Sequence, residues 1–190
     1  MSPAPERPIL RGEQVWLRPI EPSDLDETSI EDADLAHYAG FRRSFSRAEG
    51  ERFLQKLASH PEENVNFTIC LLGQDESRGS VGLREIDRVN GSAEVSIFLS
   101  KPSEWSKGLG TDAMRAMLDF AFGEMRLERV WLRVFDYNLR AARSYEKAGF
   151  VKEVLLRHER FHRGKHHDTD LMAIVRPEWE ADPRKRSWDY

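Results

Sequence analysis

The sequence predicts one α+β domain over residues 1–190, and three observations carry that prediction. Short β-branched and aromatic runs recur at residues 14–20, 65–72, 81–89, 93–99 and 129–135. The Asn90-Gly91 pair joins two of them and is the strongest short hairpin signal a sequence offers. Residues 108–125 set Leu109, Ala113, Met117, Phe120 and Ala121 on one helical face. Strands that pair locally, with amphipathic helices between some of them, belong to the α+β class. No repeat, low-complexity tract or Pro/Gly-rich linker divides the 190 residues, which are enough for one full core.

The elements follow in order. A Pro-rich tail (residues 1–12) precedes the alternating strand of residues 14–20. Pro22-Ser23-Asp24 offers an N-cap for a helix to about Ala39, which Gly40 can stop. Ser46-Arg-Ala-Glu49 fits a capping box and opens a second helix to about Ser59, with Pro61 beyond it. A buried strand over residues 65–72 leads through a Gly73 turn into the Asn90-Gly91 hairpin. The helix of residues 108–125 and the strand of residues 129–135 come next. Asn138 caps a helix ending near Ala148-Gly149, and residues 150–161 and 166–175 form a last hairpin across Arg163-Gly164. Residues 177–190 show no period and read as a tail. The sum is about seven strands and four helices.

Composition excludes several classes. The lone Cys70 lies in strand-like sequence and cannot close an internal disulfide. No apolar run approaches the roughly 20 residues that span a bilayer, and the first residues, MSPAPERP, lack the apolar core of a signal peptide. A soluble, reduced, cytoplasmic protein is expected. The net charge of −4 and the lack of a basic stripe argue against nucleic acid as a partner. Charge is uneven: residues 1–95 carry 11 basic and 18 acidic side chains, residues 96–190 carry 18 and 15. Glu21 to Asp34 holds seven carboxylates and no Lys or Arg. The clustered His162, His166, His167 and Asp168 suit no tetrahedral metal site, because strand alternation sends His166 and His167 to opposite faces. No metal is expected.

The most informative segment is Trp105-Ser106-Lys107-Gly108-Leu109-Gly110-Thr111, between a strand and a helix. Two glycines two apart let consecutive backbone N–H groups converge, and the helix start adds free N–H groups and a positive dipole end. That arrangement holds phosphate. It is not a nucleotide P-loop, since Lys107 precedes the glycines, and it lacks the third glycine of a dinucleotide fingerprint.

From Val81 to Phe150 the chain resembles the GNAT acetyltransferase superfamily. The glycine segment is similar to that family's Gln/Arg-x-x-Gly-x-Gly/Ala pyrophosphate loop, with Trp105 at the first position, where Rim-type and polyamine-type members carry aromatic residues. Some thirty residues on, Asn138-Leu-Arg-Ala-Ala-Arg-Ser-Tyr145-Glu-Lys-Ala-Gly-Phe150 is similar to the family's Asn-x-x-Ala-x-x-x-Tyr-Glu-Lys-x-Gly-Phe. The resemblance implies a twisted, mostly antiparallel sheet, acetyl-CoA as co-substrate and a primary amine as acceptor. It further implies that residues 107–111 take the pyrophosphate and that the backbone of Ile97, Phe98 and Leu99 pairs with the pantetheine arm. Asn138 would contact that arm, and Arg140 and Arg143 are either contacts to the CoA phosphates or solvated helix charges, with Arg143 the candidate kept for cofactor binding. Trp16, Trp131, Trp179 and Trp188 read as packing.

Tyr145 stands two helical turns after Asn138 on the same face. In the family this position protonates the departing sulfur, which suits a phenol whose ordinary pKa is near 10. The base is to be sought among carboxylates. A two-residue Asn90-Gly91 loop would set Asp87 opposite Glu94 with Glu85 diagonal to them. Three clustered carboxylates raise one another's pKa or bind a polyamine. The resemblance implies acidic residues at Glu85 and Glu94, as polyamine-type members carry them; Glu94 is the first candidate for the base, directly or through water, and Glu85 is the second.

The expected activity is therefore acetyl transfer to the amine of a peptide or protein N-terminus, or to a polyamine or aminoglycoside-like amine. The acidic Glu21–Asp34 stretch leans toward a cationic acceptor, with the anionic cofactor entering from the more basic C-terminal half. Two alternatives stand beside it: a CoA-binding sensor without catalysis, and transfer of a larger acyl group such as succinyl. A homodimer is one expectation, since dimers are common among such relatives.

Overall fold

The computed structural model describes residues 9–25, 33–43, 46–59 and 64–190. Their strands make one eight-stranded sheet: β1 (Leu10–Arg11), β2 (Val15–Pro19), β3 (Val65–Leu71), β4 (Ser77–Asp87), β5 (Ser92–Leu99), β6 (Arg129–Phe135), β7 (Val151–His162) and β8 (Lys165–Val175). The spatial order is β1-β2-β3-β4-β5-β6-β8-β7. The helices are α1 (Ala33–Ala39), α2 (Arg47–Ser59), α3 (Leu109–Asp119), α4 (Leu139–Lys147) and α5 (Arg176–Ala181). Seven strands and four helices match the expected elements; β1 and α5 are additional.

Neither addition has a sequence period to reveal it. β1 is two residues long and exists by pairing with β2, Leu10 opposite Leu17. The presumed C-terminal tail is fixed by one buried carboxylate. Asp119 of α3 accepts from the Trp179 indole at 3.0 Å, from Arg184 at 2.6 and 3.0 Å, and from the Ser187 backbone and hydroxyl at 2.8 and 3.1 Å. Such convergence satisfies a charge that burial alone would penalise.

Two elements differ in form from expectation. After Asp119 the long helix widens into a π turn over Phe120–Glu124, where Met125 N–H reaches the Phe120 carbonyl. The helix expected from Pro22 begins as a single 3₁₀ turn (Pro22–Leu25), and residues 26–32 lie outside the described ones. Asp24 is drawn inward instead: it accepts from Arg18 at 2.7 and 3.0 Å and from the Thr68 hydroxyl at 2.6 Å. The acidic stretch therefore contributes one of its carboxylates to a buried ion pair. The Ser46–Glu49 capping box forms as expected, each side chain bonded to the other's backbone N–H.

The two faces of the sheet differ in chemistry. Registers place Val81, Leu83, Val95 and Ile97 on the same face as Val130, Leu132 and Met172. These residues pack with Ala113, Met114, Met117 and Ala121 of α3 in the main core. The opposite face carries Ser80, Arg84, Glu94, Ser96, Phe98, Arg133, Phe135 and Thr169. One face is core; the other is built for polar contacts.

Candidate active site

Among the described residues the only parallel strand pairing joins β5 and β6, through α3 as the crossover that parallel neighbours require. It is short. Pairing runs Ser92↔Arg129, Ala93↔Val130, Glu94↔Trp131 and then stops, although β5 continues to Leu99 and β6 to Phe135. Ile97, Phe98 and Leu99 pair with β4 on one side only, opposite Val81, Ser80 and Gly79. Their other edge faces a split in the sheet, with backbone groups free to pair with an extended ligand.

One end of the split meets the start of α3. Gly108 is its N-cap, in the left-handed region at φ +89°, and no side chain caps the helix. Ser106 also has a positive φ, +62°. The first N–H groups of α3 have no acceptor within the helix, so this loop presents donors and a positive dipole end. The acidic residue of the first turn, Asp112, is turned away: it accepts from Glu13, Gln14 and Val15 N–H at 2.9, 2.8 and 3.0 Å. It anchors α3 to the β1–β2 turn while leaving the loop clear. Gly110 faces Leu99, Ile97 and Ser144; a Cβ there would sit 3.6 Å from Leu99 Cδ1. The Thr111 hydroxyl is engaged with Ser144 at 2.7 Å, so its side chain ties α3 to α4. Lys107 reaches Glu104 at 3.7 Å, and Arg143 is exposed. An anion-accepting loop at the mouth of an unpaired strand edge fits a ligand with a phosphate end and an extended amide-bearing arm, as acetyl-CoA has.

Asn138 caps α4 by accepting from Ala141 N–H at 3.3 Å and donates to the Tyr38 carbonyl at 3.3 Å. α1 therefore reaches over the start of α4. The residues just after α1 lie against the polar face, with Phe41 against Phe98 (6.2 Å between rings) and Gly40 against Phe135. Arg140 is not a solvated helix charge: its guanidinium lies 3.5 Å over the Trp105 ring and 4.8 Å over Tyr38. Trp105 thus shares an aromatic–cation wall with α1 and α4.

Tyr145 packs against the core and Phe150. Burial pushes its phenol up to about 12, with Arg140 opposing. Among the described residues its hydroxyl makes no hydrogen bond. It is a protonated donor with nothing yet to donate to.

The carboxylate cluster expected around the hairpin does not form. Irregular pairing between Arg84 and Asp87 shifts the register, so Glu94 lies opposite Arg84 and Asp87 opposite Ser92. Glu85 sits in the irregularity at φ +51°. Asp87 folds over the turn, accepting from Val89 and Asn90 N–H at 2.9 Å each. Glu94, its side chain 2% exposed, accepts both guanidinium bonds of Arg84 at 2.8 and 2.9 Å, with Arg133 at 3.7 Å. The turn between the strands spans residues 88–91 rather than Asn90-Gly91 alone, because Asp87 pairs with Ser92.

The histidines supply what sequence reasoning missed. His37 Nδ1 lies 2.9 Å from His162 Nε2, and Tyr137 stacks on both rings at 4.5 and 5.9 Å. His167 bonds Asp136 at 2.9 Å and meets Tyr137 edge-on. His166 points elsewhere and is exposed, as alternation required. His37 carries no sequence signal of its own; only the fold brings it to the last hairpin. Among the described residues no His, Cys, Asp and Glu group could hold a metal ion, and no helix is long and apolar enough to cross a membrane.

Comparison with known proteins agrees with this geometry. Residues 14–151 match the family model described as Acetyltransferase (GNAT) domain. The probable N-acetyltransferase YjcK of Bacillus subtilis is 31% identical over 183 residues, covering 90% of this chain and 99% of its own. Spermidine N(1)-acetyltransferase of Escherichia coli K12 is 30% identical, covering 88% of this chain and 89% of its own. The spermidine N-acetyltransferase of Vibrio cholerae, solved with CoA and spermine, superposes with a TM-score of 0.79 at 28% identity, covering 88% and 98% of the two chains. The split sheet, the glycine loop and these relatives have one explanation: the chain belongs to the GNAT acetyltransferase family and is an N-acetyltransferase that uses acetyl-CoA to acetylate amines.

Proposed function

We propose that the acceptor is the free α-amine of a peptide or protein N-terminus. The observation that carries this reading is the pairing of Glu94. A polyamine presents several ammonium groups and calls for free carboxylates, yet Glu94 is enclosed by Arg84 and Arg133. Glu159 beside it also faces Arg133, at 3.9 Å. Arg160 and Arg140 add positive charge around the opening, together with the rings of Tyr38, Trp105 and Phe98. That wall suits a single amine on a neutral or acidic backbone.

Acetyl-CoA supplies a thioester whose acetyl group is transferred. The chain's part begins with the amides of residues 107–111, which bind the phosphate end, and the β5 edge at Ile97–Leu99, which orients the arm. Asn138 fixes the start of α4 and with it the position of Tyr145. Tyr145 keeps its proton until the departing sulfur needs it, as a phenol raised by burial does. Glu94 acts as a positioning residue that holds Arg84 and Arg133, not as the base, because both its carboxylate oxygens are already engaged by the Arg84 guanidinium, with Arg133 3.7 Å away. Glu85 has no part in this reading.

The whole chain acts as one catalytic domain, and we read it as a cytoplasmic homodimer. The edge strand β7 exposes Val151, Val154, Leu155 and Phe161, which a second copy could cover. Sizing chromatography with light scattering checks that assembly. For the acceptor, acetyl-CoA consumption is compared with an alanine-led tetrapeptide, spermidine, spermine and an aminoglycoside. The peptide is expected to give the highest kcat/KM; a higher value for either polyamine would overturn the acceptor reading.

A further inference from the structure

We propose that His37 and His162, bonded to each other beside the start of α4, receive the proton that the acceptor's ammonium gives up. The inference rests on acetyl transfer to an amine and is independent of which amine is used. Attack requires the neutral amine, so one proton must leave the ammonium for a group on the acceptor side of the split. Of the carboxylates offered by sequence, Glu94 is paired with arginines and Asp87 is folded into a turn. The histidine pair stacks on Tyr137, just beyond the end of β6 where that strand has parted from β5.

The proton inventory of the pair is definite. Two neutral imidazoles carry two protons on four ring nitrogens. One proton occupies the shared Nδ1–Nε2 bond of 2.9 Å, one sits on an outer nitrogen, and the remaining outer nitrogen is an open lone pair. In the transfer an ammonium N–H bond breaks, its electron pair stays on the amine nitrogen, and an N–H bond forms on the pair. His37 is half-buried and His162 buried, so His37 is the member nearer solvent. The proton is later released to water.

Position supports the role. Tyr137, stacked on both rings, immediately precedes Asn138, and Tyr38, next to His37, carries the carbonyl that Asn138 contacts. The surrounding charges are mixed: Asp34 on α1, Arg160 on β7, Arg163 in the β7–β8 turn, His167 on β8 and Asp136 before Tyr137. Burial first, then Arg163 and His167, lowers the pKa of His37 despite Asp34. Burial, His37, Arg160, Arg163 and His167 lower that of His162. Both shifts favour the neutral rings, the state a base needs.

The test is the pH profile of kcat/KM for wild type and for His37→Gln, His162→Gln and the double variant, with CoA affinity by calorimetry as the check on folding. Both the alanine-led tetrapeptide and spermidine serve as acceptors. A preference for spermidine would sink the acceptor reading while leaving the pH limb in place. Wild type should show an acid limb with its midpoint below the ordinary histidine value of about 6.5. The double variant should lose roughly 100-fold at pH 7, recover as rising pH supplies free amine, and bind CoA as before. In wild type, imidazole NMR signals of the two residues should titrate as one coupled unit below that ordinary value. An unchanged acid limb in the double variant, an equal loss at every pH, or two independent titrations at the ordinary value would overturn the proposal.

Discussion

Gly108→Ala is the most exacting perturbation of the cofactor loop. Gly108 sits at φ +89°, where an L side chain costs about 1–2 kcal/mol. Steric crowding adds little, because the new Cβ would meet only the end of the Gln14 side chain, at 3.2 Å. The strain can be expressed in two ways. If the loop keeps its shape, the fold is weakened by about 2–8 °C in Tm for a chain of this size. If it relaxes, the N–H groups leave their positions and CoA affinity falls by about 5- to 30-fold. Two controls separate these outcomes. Gly73→Ala imposes similar strain at φ +77° in open space, so it should lower Tm without changing CoA affinity. Gly110→Ala adds only an ordinary contact, 3.6 Å from Leu99 Cδ1, and should be mild in both respects. Differential scanning fluorimetry and calorimetric CoA titration read the result. Wild-type Tm and CoA affinity in Gly108→Ala, or a worse effect from Gly110→Ala, would refute the reasoning.

Further outcomes follow from the same geometry. Tyr145→Phe should reduce kcat by about 10²–10⁴-fold with Tm and CoA affinity unchanged, since the hydroxyl makes no hydrogen bond among the described residues; stopped assays with calorimetry check it. The phenol raised to about 12 stays an acid across the neutral and mildly alkaline range, so the wild-type kcat should hold its plateau to about pH 10. Glu94→Gln should leave the acid limb of the kcat/KM profile in place; its disappearance would make Glu94 the base after all. Asp112→Ala strands three backbone N–H groups and should cost about 3 kcal/mol or more, seen as a lower urea midpoint. Burial alone would raise the pKa of Asp24, but bonds from Arg18 and Thr68 outweigh it and the net shift is downward. The corresponding stability is present above the ordinary aspartate value and is lost as pH falls through the folded one, so acid unfolding should be shallower in Asp24→Asn.

Elements with strong local signals were legible from the residues. Asn138 and Ser46 cap the helices their side chains announce, and the alternation of β6 and β8 sorts core from polar face. The glycine loop and the Asn138–Tyr145 helix were legible because each motif is a local chemical requirement. What escaped depended on distant partners. The hairpin register hung on an irregularity near Glu85 that alternation cannot foresee, and it turned a supposed carboxylate cluster into a Glu94–Arg84 ion pair. α5 owes its place to Asp119, sixty residues from Trp179. His37 and His162 are 125 residues apart, and no spacing rule links them.

The short β5–β6 ladder has a consequence for cooperativity. A continuous sheet transmits strain through every rung, but here the strands before the split and those after it share three residue pairs. Other links between them include the Glu94–Arg133 ion pair, α3 with its Thr111–Ser144 tie to α4, and the segment after α1 that touches Phe98 and Phe135. A ligand strand laid along β5 would bridge the two halves and stabilise the native state by mass action. Slow amide exchange should then spread across both halves when CoA is added, with the largest gain in the rungs flanking the gap. The cofactor would serve as a removable structural member, and the enzyme between turnovers as a more loosely joined pair of half-sheets.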